Sequence, residues 1–275
     1  GGVQINDNNI KEIRIGTNVT SIGISAFHSC VVLQSVTIPH NATSIGNDAF
    51  YGCTSLQSVT IGDSVTSIGD RAFYDCAALQ SLTIGDSVTT VRDRAFERCT
   101  SLQSVTIPDS VTTIKNYAFA YCTSLSSVTI PDSVTTIEGN VFRGCAMQSV
   151  TIPDSVTSIG ERTFKDCDAL QTVILGNGLT KIEHRTFEGC DVLRTFTIGN
   201  SVTQIMSTAF TNCDNLTNIY MTSQVANNLQ VNFGVQTGEF FGAGASGPYG
   251  GAYYYGGSDN SITFSIIEIS SSIHK

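Results

Sequence analysis

The sequence predicts a solenoid in which each coil adds one strand to a sheet. Two observations carry this reading. A 23-residue unit recurs from about residue 10 to about residue 228, and a fixed period of roughly 20–50 residues marks coils that stack on one another. Within each unit a short polar–apolar alternation ends at a Pro or Gly, as in Leu56-Gln57-Ser58-Val59-Thr60-Ile61-Gly62. The period is clearest in Phe and Cys. Phe stands three residues before Cys nine times, from Phe27/Cys30 through Phe119/Cys122 to Phe210/Cys213. Successive Cys are 23 residues apart, except Cys145 and Cys167, which are 22 apart. One unit cannot bury its apolar positions alone, so neighbouring coils must share a continuous core. At roughly 4.8 Å per strand, about ten coils give a body roughly 48 Å long.

The elements follow in order along one coil. Ser58-Val59-Thr60-Ile61 alternates as a half-buried strand with Val and Ile inward. Pro or Gly closes it in every coil (Pro39, Gly62, Gly85, Pro108, Pro131, Pro153, Gly176, Gly199). The Asp-Ser that often follows suits a turn in which the Asp side chain bonds nearby backbone. Val65-Thr66-Ser67-Ile68 is a second extended segment with its ends inward. Gly69 to Cys76 is expected to form a short helical turn on the opposite face. The first coil is partial, with Ile10, Ile13, Ile15, Val19 and Ile22 filling the frame, and the residues before it are expected to cap the open end.

The domain reading is a solenoid over 1–228, about ten coils with the first partial, and a β-rich C-terminal segment over 229–275. The repeat decays after Cys213, where Asn228 takes an expected apolar place. Leu229, Val231, Phe233 and Val235 alternate as one strand, and 261–269 reads as a last one. Between them, 238–257 is rich in Gly and carries Phe240, Phe241, Tyr249, Tyr253, Tyr254 and Tyr255. This segment is expected either to cap its own solenoid or to add a strand to a neighbouring molecule.

The frame Leu-x-x-Val-x-Ile-Pro-x-x-Val-Thr-x-Ile-Gly-x-x-Ala-Phe-x-x-Cys, nearly intact over Leu102–Cys122 and Leu125–Cys145, resembles the BspA-like class of leucine-rich repeats. The resemblance implies a right-handed, gently curved leucine-rich repeat solenoid with a parallel β-sheet on one face and short helical turns or extended segments on the other. It also implies a surface or secreted protein linked to adhesion. The class brings no shared catalytic residues.

Composition narrows the function classes. Hydrophobic residues make up 41%, enough for a core, and charged residues only 13%, so the surface must be rich in Ser, Thr, Asn and Gly. A net charge of −9 argues against a nucleic-acid partner. No apolar run is long enough for a membrane span. The chain opens Gly1-Gly2-Val3 without an initiator Met or signal peptide, the expectation being a processed or trimmed form. Asn18, Asn41 and Asn215 head glycosylation sequons, which count only in a eukaryotic source.

Nine Cys raise a metal or redox reading, which their spacing opposes. No Cys-x-x-Cys occurs, and His28, His40, His184 and His274 do not accompany Cys at ligand spacing. Stacked Cys point the same way, so a buried, unbridged thiol column is expected. The column Asp63, Asp86, Asp109, Asp132 and Asp154 offers carboxylates ~5 Å apart that could share a Ca²⁺, although turn formation already accounts for it. No cofactor, metal or catalytic constellation is expected.

The outward strand positions remain. They include Ser58, Thr60, Ser81, Thr83, Ser104, Thr106, Ser127, Thr129, Ser149 and Thr151, and none is charged. They are either a soluble strand surface or a neutral hydroxyl face for a protein or glycan ligand. Their uniformity argues against a tight small-molecule pocket. The sequence therefore points to a non-enzymatic, extracellular or cell-surface protein acting in protein–protein interaction or adhesion. One rival is a structural subunit that self-associates into a filament through the C-terminal segment. A second is ice binding through the Ser/Thr array.

Overall fold

The computed structural model describes residues 11–222, Val225 and the strands Gln230–Asn232, Ala252–Gly257 and Asn260–Glu268. The chain winds into a parallel β-solenoid. First-row strands lie at Glu12–Arg14, Ser35–Ile38, Ser58–Ile61, Ser81–Thr83, Ser104–Thr106, Ser127–Thr129, Ser149–Ile152, Thr172–Leu175, Thr195–Thr197 and Asn218–Met221. Second-row strands are short, running from Ser21–Ile22 and Ser44–Ile45 through Thr113–Ile114 to Lys181–Ile182 and Gln204–Met206. Paired strands join each residue to its equivalent in the next coil, Val36 to Val59 and Ile45 to Ile68. The first row is interrupted after Ser81–Thr83 and after Ser127–Thr129, and the second after Ser158–Ile159. The coil that is one residue short is absorbed without slippage, since Thr136 pairs with Ser158 and Ile137 with Ile159.

The register follows from burial. A one-residue slip would turn every Val and Ile of a strand to the outside. Val59, Ile61, Val65, Ile68, Phe73, Cys76 and Leu79 are all buried, while Thr60 between the first two is exposed. The Phe column forms the axis of the core. Its rings stack face to face from Phe27 to Phe210, with centroid separations running from 5.0 Å at Phe50–Phe73 to 5.9 Å at Phe119–Phe142. Near the C-terminal end Phe196 enters edge-on between Phe187 and Phe210, at 5.0 and 4.8 Å. At Gly62, which closes one first-row strand, a Cβ would come within 2.8 Å of the Pro39 carbonyl, so the close approach of these two coils depends on glycine, whereas other coils accommodate Pro at the same position.

The side opposite the first row corrects the expected helical turn. An α-helix sends every N–H to the carbonyl four residues back. Here alternate N–H groups leave the coil. Asp48, Phe50 and Gly52 donate to the carbonyls of Asp70, Ala72 and Tyr74 in the next coil at 2.9, 2.7 and 2.8 Å. Ala49, Tyr51 and Cys53 donate only three residues back, to Gly46, Asp48 and Phe50. The segment is a run of turns forming a third inter-coil ladder. The alternation needs left-handed residues twice per coil, at Asp48 (φ 56) and Gly52 (φ 69) and at their equivalents. Among the described residues fourteen of these are not glycine.

At the C-terminal end Gln230–Asn232 continues the second row beside Gln204–Met206. Asn260–Glu268 continues the first row parallel to Asn218–Met221, with Ile219 opposite Ile266, and Ala252–Gly257 pairs antiparallel on its outer edge. The two expected terminal strands thus correspond to 230–232 and 260–268. The N-terminal cap before residue 11, the 228/229 boundary, Leu229, Phe233 and Val235 lie outside the described residues.

Backbone conformation on the turn side is open to test at Arg98. It is exposed, stands at φ 64, and donates its N–H to the Ala120 carbonyl at 2.9 Å. A left-handed non-glycine residue costs about 1–2 kcal/mol, and a β-branched one is an outlier there. Arg98→Gly is expected to melt at or above the parent, and Arg98→Val clearly below it. Equal melting temperatures for the two variants in a calorimetric scan would show that this backbone imposes no such constraint.

Candidate ligand-binding face

First-row alternation places one hydroxyl column on each side of the inward Val. Thr60, Ser81, Thr83, Ser104, Thr106, Ser127, Thr129, Ser149 and Thr151 are exposed, and Ser58 is half-buried. Among the described residues none of these side chains has a hydrogen-bond partner. The second row differs. Thr66 Oγ1 donates to the Thr43 carbonyl at 3.2 Å, Thr135 Oγ1 to Thr112 at 3.3 Å, and Thr203 Oγ1 to Thr180 at 3.2 Å. At the preceding corner Ser110 and Ser133 donate to Val88 and Val111, at 2.7 and 2.8 Å. The column leading into the second row is largely absorbed by the backbone of the previous coil, with Thr89 an exception among the described residues. The first-row columns keep their hydroxyls free for something outside the chain.

A third column belongs to this face and was not anticipated. Gln34, Gln57, Gln80, Gln103, Gln148 and Gln171 recur one residue before the Ser column, and all are exposed. The backbone N–H groups of Gln34, Gln57, Gln80 and Gln171 carry the inter-coil ladder, as in Gln57 to Gln34 at 2.7 Å, and the side-chain amides face solvent. Recurrence alone was signal enough to find them. The face is thus neutral and amide- and hydroxyl-lined. It changes character toward the C-terminal end, where Ile174 is 41% exposed and Tyr220 takes the Thr position.

Charge gathers on the turn side, largely as pairs between consecutive coils. Arg71 meets Asp48 at 3.1 Å, Arg143 meets Asp166 at 3.1 Å, and Lys165 meets Glu188 at 2.8 Å. Arg94 lies over the Tyr117 ring at 4.4 Å and pairs with Glu97 at 2.9 Å. Burial of Glu97 pushes its carboxyl up, against the pull of Arg94. Among the described residues no three His, Cys, Asp or Glu stand together as a metal site. In the Asp column, Asp154 Oδ1 accepts the Asn177 N–H at 2.7 Å. Asn18, Asn41 and Asn215 are exposed. The Nδ2 atoms of Asn41 and Asn215 already donate to the Thr17 and Asp191 carbonyls, both at 2.6 Å. Tyr253, Tyr254 and Tyr255 fall in the strand Ala252–Gly257, opposite Phe264, Thr263 and Ile262, while Phe240, Phe241 and Tyr249 lie outside the described residues.

A sequence profile of the BspA type leucine rich repeat region matches residues 5–126 and 112–233, in six copies. The chain belongs to the BspA-type leucine-rich repeat family. Three solved structures are similar to it. A leucine rich cell surface protein from Faecalibacterium prausnitzii is 28% identical, over 82% of this chain and 87% of its own, with a TM-score of 0.45. A leucine-rich repeat protein from Bacteroides ovatus is 24% identical, over 82% and 75%, with a TM-score of 0.52. A T. pallidum leucine rich repeat protein is 24% identical, over 78% and 91%, with a TM-score of 0.50. The last two share its fold. No curated protein matches the chain. Among the described residues no helix is long and apolar enough to cross a membrane.

The BspA-type frame repeats Phe-x-x-Cys, and the geometry gives the reason for the thiol. All nine Cys are buried and none is in a disulfide. Cys53 Sγ donates to the Phe27 carbonyl of the preceding coil at 3.1 Å, and the same bond recurs from Cys76 to Phe50 (3.3 Å) through Cys213 to Phe187 (3.0 Å). Burial pushes the thiols of Cys53, Cys122, Cys167 and Cys213 up to about 12. It pushes Cys76, Cys99, Cys145 and Cys190 well above their ordinary range, with neighbouring thiols adding to the effect.

These thiols stay protonated in the fold, whereas an unfolded thiol ionises near ~8.5. Their stabilising effect is therefore whole below that pH and is lost as pH rises toward about 12. Denaturant midpoints are expected to fall across this window, and less steeply in a Cys99→Ser, Cys122→Ser double variant. Native protein should also resist alkylation and take up nine labels once unfolded. A flat stability profile through the window, or ready labelling of the native protein, contradicts the buried thiol ladder.

Proposed function

We propose that the protein is a non-enzymatic recognition scaffold, extracellular or cell-surface in location, that acts in adhesion by holding a protein or glycan ligand along its first-row face. The observation that carries this reading is a contrast between two Thr-rich columns. The one leading into the second row gives its hydroxyls to the previous coil at Thr43, Thr66, Thr112, Thr135, Thr157 and Thr203, whereas the first-row columns give up none among the described residues. Membership of the BspA-type family supports an interaction role. The shape of the face bears on what it holds. A strand of three or four residues, at roughly 3.3 Å each, makes a strip ~10–13 Å wide and ~48 Å long. That is on the order of 500–600 Å², short of the ~800 Å² per partner of a standard protein interface. A strip of this width suits an extended ligand segment rather than a broad globular surface. Many weak, similar contacts along it then act together.

A triple variant Thr83→Lys, Thr106→Lys, Thr129→Lys places three charges on the strip without touching the core. Beads coated with this variant are expected to lose adhesion to a glycan array and to cell monolayers. Beads coated with Thr66→Ala, Thr135→Ala, altered on the second row, are expected to adhere like the parent. Undiminished adhesion by the triple variant, with an unchanged melting temperature, would remove the first-row face from the function.

The C-terminal segment is proposed to cap its own solenoid rather than to join another. In support, Asn260–Glu268 takes the edge beyond Asn218–Met221 of the same chain, and an unpaired edge templates association. Deleting 236–275 is expected to lower the melting temperature and cause disordered aggregation. A truncated protein that stays monomeric and equally stable, beside a full-length protein that assembles regular polymers, would make the segment a connector instead.

A further inference from the structure

The residue seven places before each Cys varies more than its neighbours in the repeat. It is Gly23, Gly46 and Gly69 in the first coils, then Arg92, Lys115 and Glu138, then Gly160, Glu183 and Met206. Where glycine gives way to two long cations, at the turn-side end of the second row, lies a cavity of about 440 Å³. That volume falls within the range of small-molecule sites. Arg92, Lys115, Asp70 and Asp93 line it, together with hydroxyls of both second-row coils.

Some of these groups are already committed. Lys115 Nζ donates to Glu138 Oε1 at 2.6 Å, Asp93 Oδ1 accepts from Asn116 Nδ2 at 3.2 Å, and Thr66 Oγ1 donates to the Thr43 carbonyl. The side chains of Ser67, Thr89, Thr90, Asp70 and Arg92 have no partner among the described residues. Arg92 and Asp70 border one cavity without forming an ion pair. A guanidinium with no carboxylate of its own is suited to take one from a ligand, through two parallel charge-assisted bonds. Asp70 accepts only, so it needs donors, and three free hydroxyls serve either way.

We propose that this cavity binds an acidic monosaccharide unit, a hydroxylated ring that carries a carboxylate. The ligand carboxylate sits on Arg92, since Lys115 is already paired with Glu138. Ring hydroxyls donate to Asp70 and exchange bonds with Ser67, Thr89 and Thr90. Asp70 is what separates this class from a bare anion, because an anion without donors leaves that carboxylate repelled and unsatisfied. Arg92 separates it from a neutral sugar, which leaves the guanidinium unanswered. The cavity is distinct from the first-row face and opens on the second-row side.

The test uses the full chain, labelled with ¹⁵N and titrated with D-glucuronate, with D-glucose and sulfate as comparisons. Glucuronate is expected to shift the amides of Ser67, Thr90 and Arg92, and glucose and sulfate to leave them in place. In Arg92→Ala the apparent Kd should rise about tenfold, the loss of one charge-assisted pair, and Asp70→Ala should also weaken binding. The triple lysine variant of the first-row face should bind glucuronate as the parent does. No shift at these amides with glucuronate overturns the site. Equal shifts with glucose or with sulfate overturn the ligand class. An unchanged Kd in Arg92→Ala, with the rest of the spectrum intact, overturns the role of Arg92.

Discussion

Everything in this molecule depends on coils lying in register, one strand spacing apart. A single coil has too little apolar surface to hold its shape, and its polar backbone groups find few partners within it. Stacking solves both problems together, because the neighbour covers the core and completes the hydrogen bonds. The ladders run around three sides of the coil: the two strand rows and the run of turns. On the strand rows N–H groups reach both neighbours, as from Thr66 back to Thr43 and from Ile198 forward to Tyr220, and on the turn side they reach the following coil, as from Phe50 to Ala72. The left-handed residues of the turn side are the cost of that third ladder. They persist because the bonds on either side over-determine them.

Register has a second consequence: every residue meets its own counterpart. Phe stacks on Phe, each thiol reaches the carbonyl of the preceding coil's Phe, and Gln lies beside Gln. Such self-meeting favours neutral side chains. Like charges one strand spacing apart repel, and several charged positions are answered by the opposite sign in the next coil. Asp48 is followed in its column by Arg71 and Lys115 by Glu138, while Arg143 reaches across to Asp166 one column over. Cations also follow one another, as Arg92 and Lys115 do, and Lys115 then leans on Glu138. The Asp column from Asp63 to Asp154 does repeat. It does so at exposed corners, where water and salt screen the repulsion. The low share of charged residues keeps such repulsions few.

The same logic separates what the sequence made legible from what it hid. Period and alternation were enough to place both strand rows, the inward Val and Ile columns and the buried Phe and Cys, because these depend on a residue's own polarity. The turn side was misread as helical. Gly-x-x-Ala-Phe-x-x-Cys has the local spacing of a helical turn, and only the next coil, by accepting alternate N–H groups, makes it a ladder. The Gln column escaped notice because Gln34 and its equivalents stand just ahead of the alternating strand and read as polar filler. The difference between the two Ser/Thr arrays was not visible either. Thr60 and Thr66 look alike in sequence, and only the backbone running beside Thr66 takes up its hydroxyl.

Repetition also limits what such a surface can recognise. A face built from identical columns presents the same groups at every step, so it selects for an extended ligand and cannot by itself select one point along it. Discrimination has to come from places where the repeat is broken. Along the first-row face the break is Ile174 and Tyr220, which replace Thr near the C-terminal end. On the second-row side it is the change from Gly69 to Arg92. Glycine at that position keeps the coil edge low, and a guanidinium there adds a charge that no carboxylate of the fold neutralises. Most charged groups on the turn side are paired between or within coils, and one without such a pair is not needed for stacking. Its retention at a cavity is therefore better explained by what it meets from outside than by what it does for the fold.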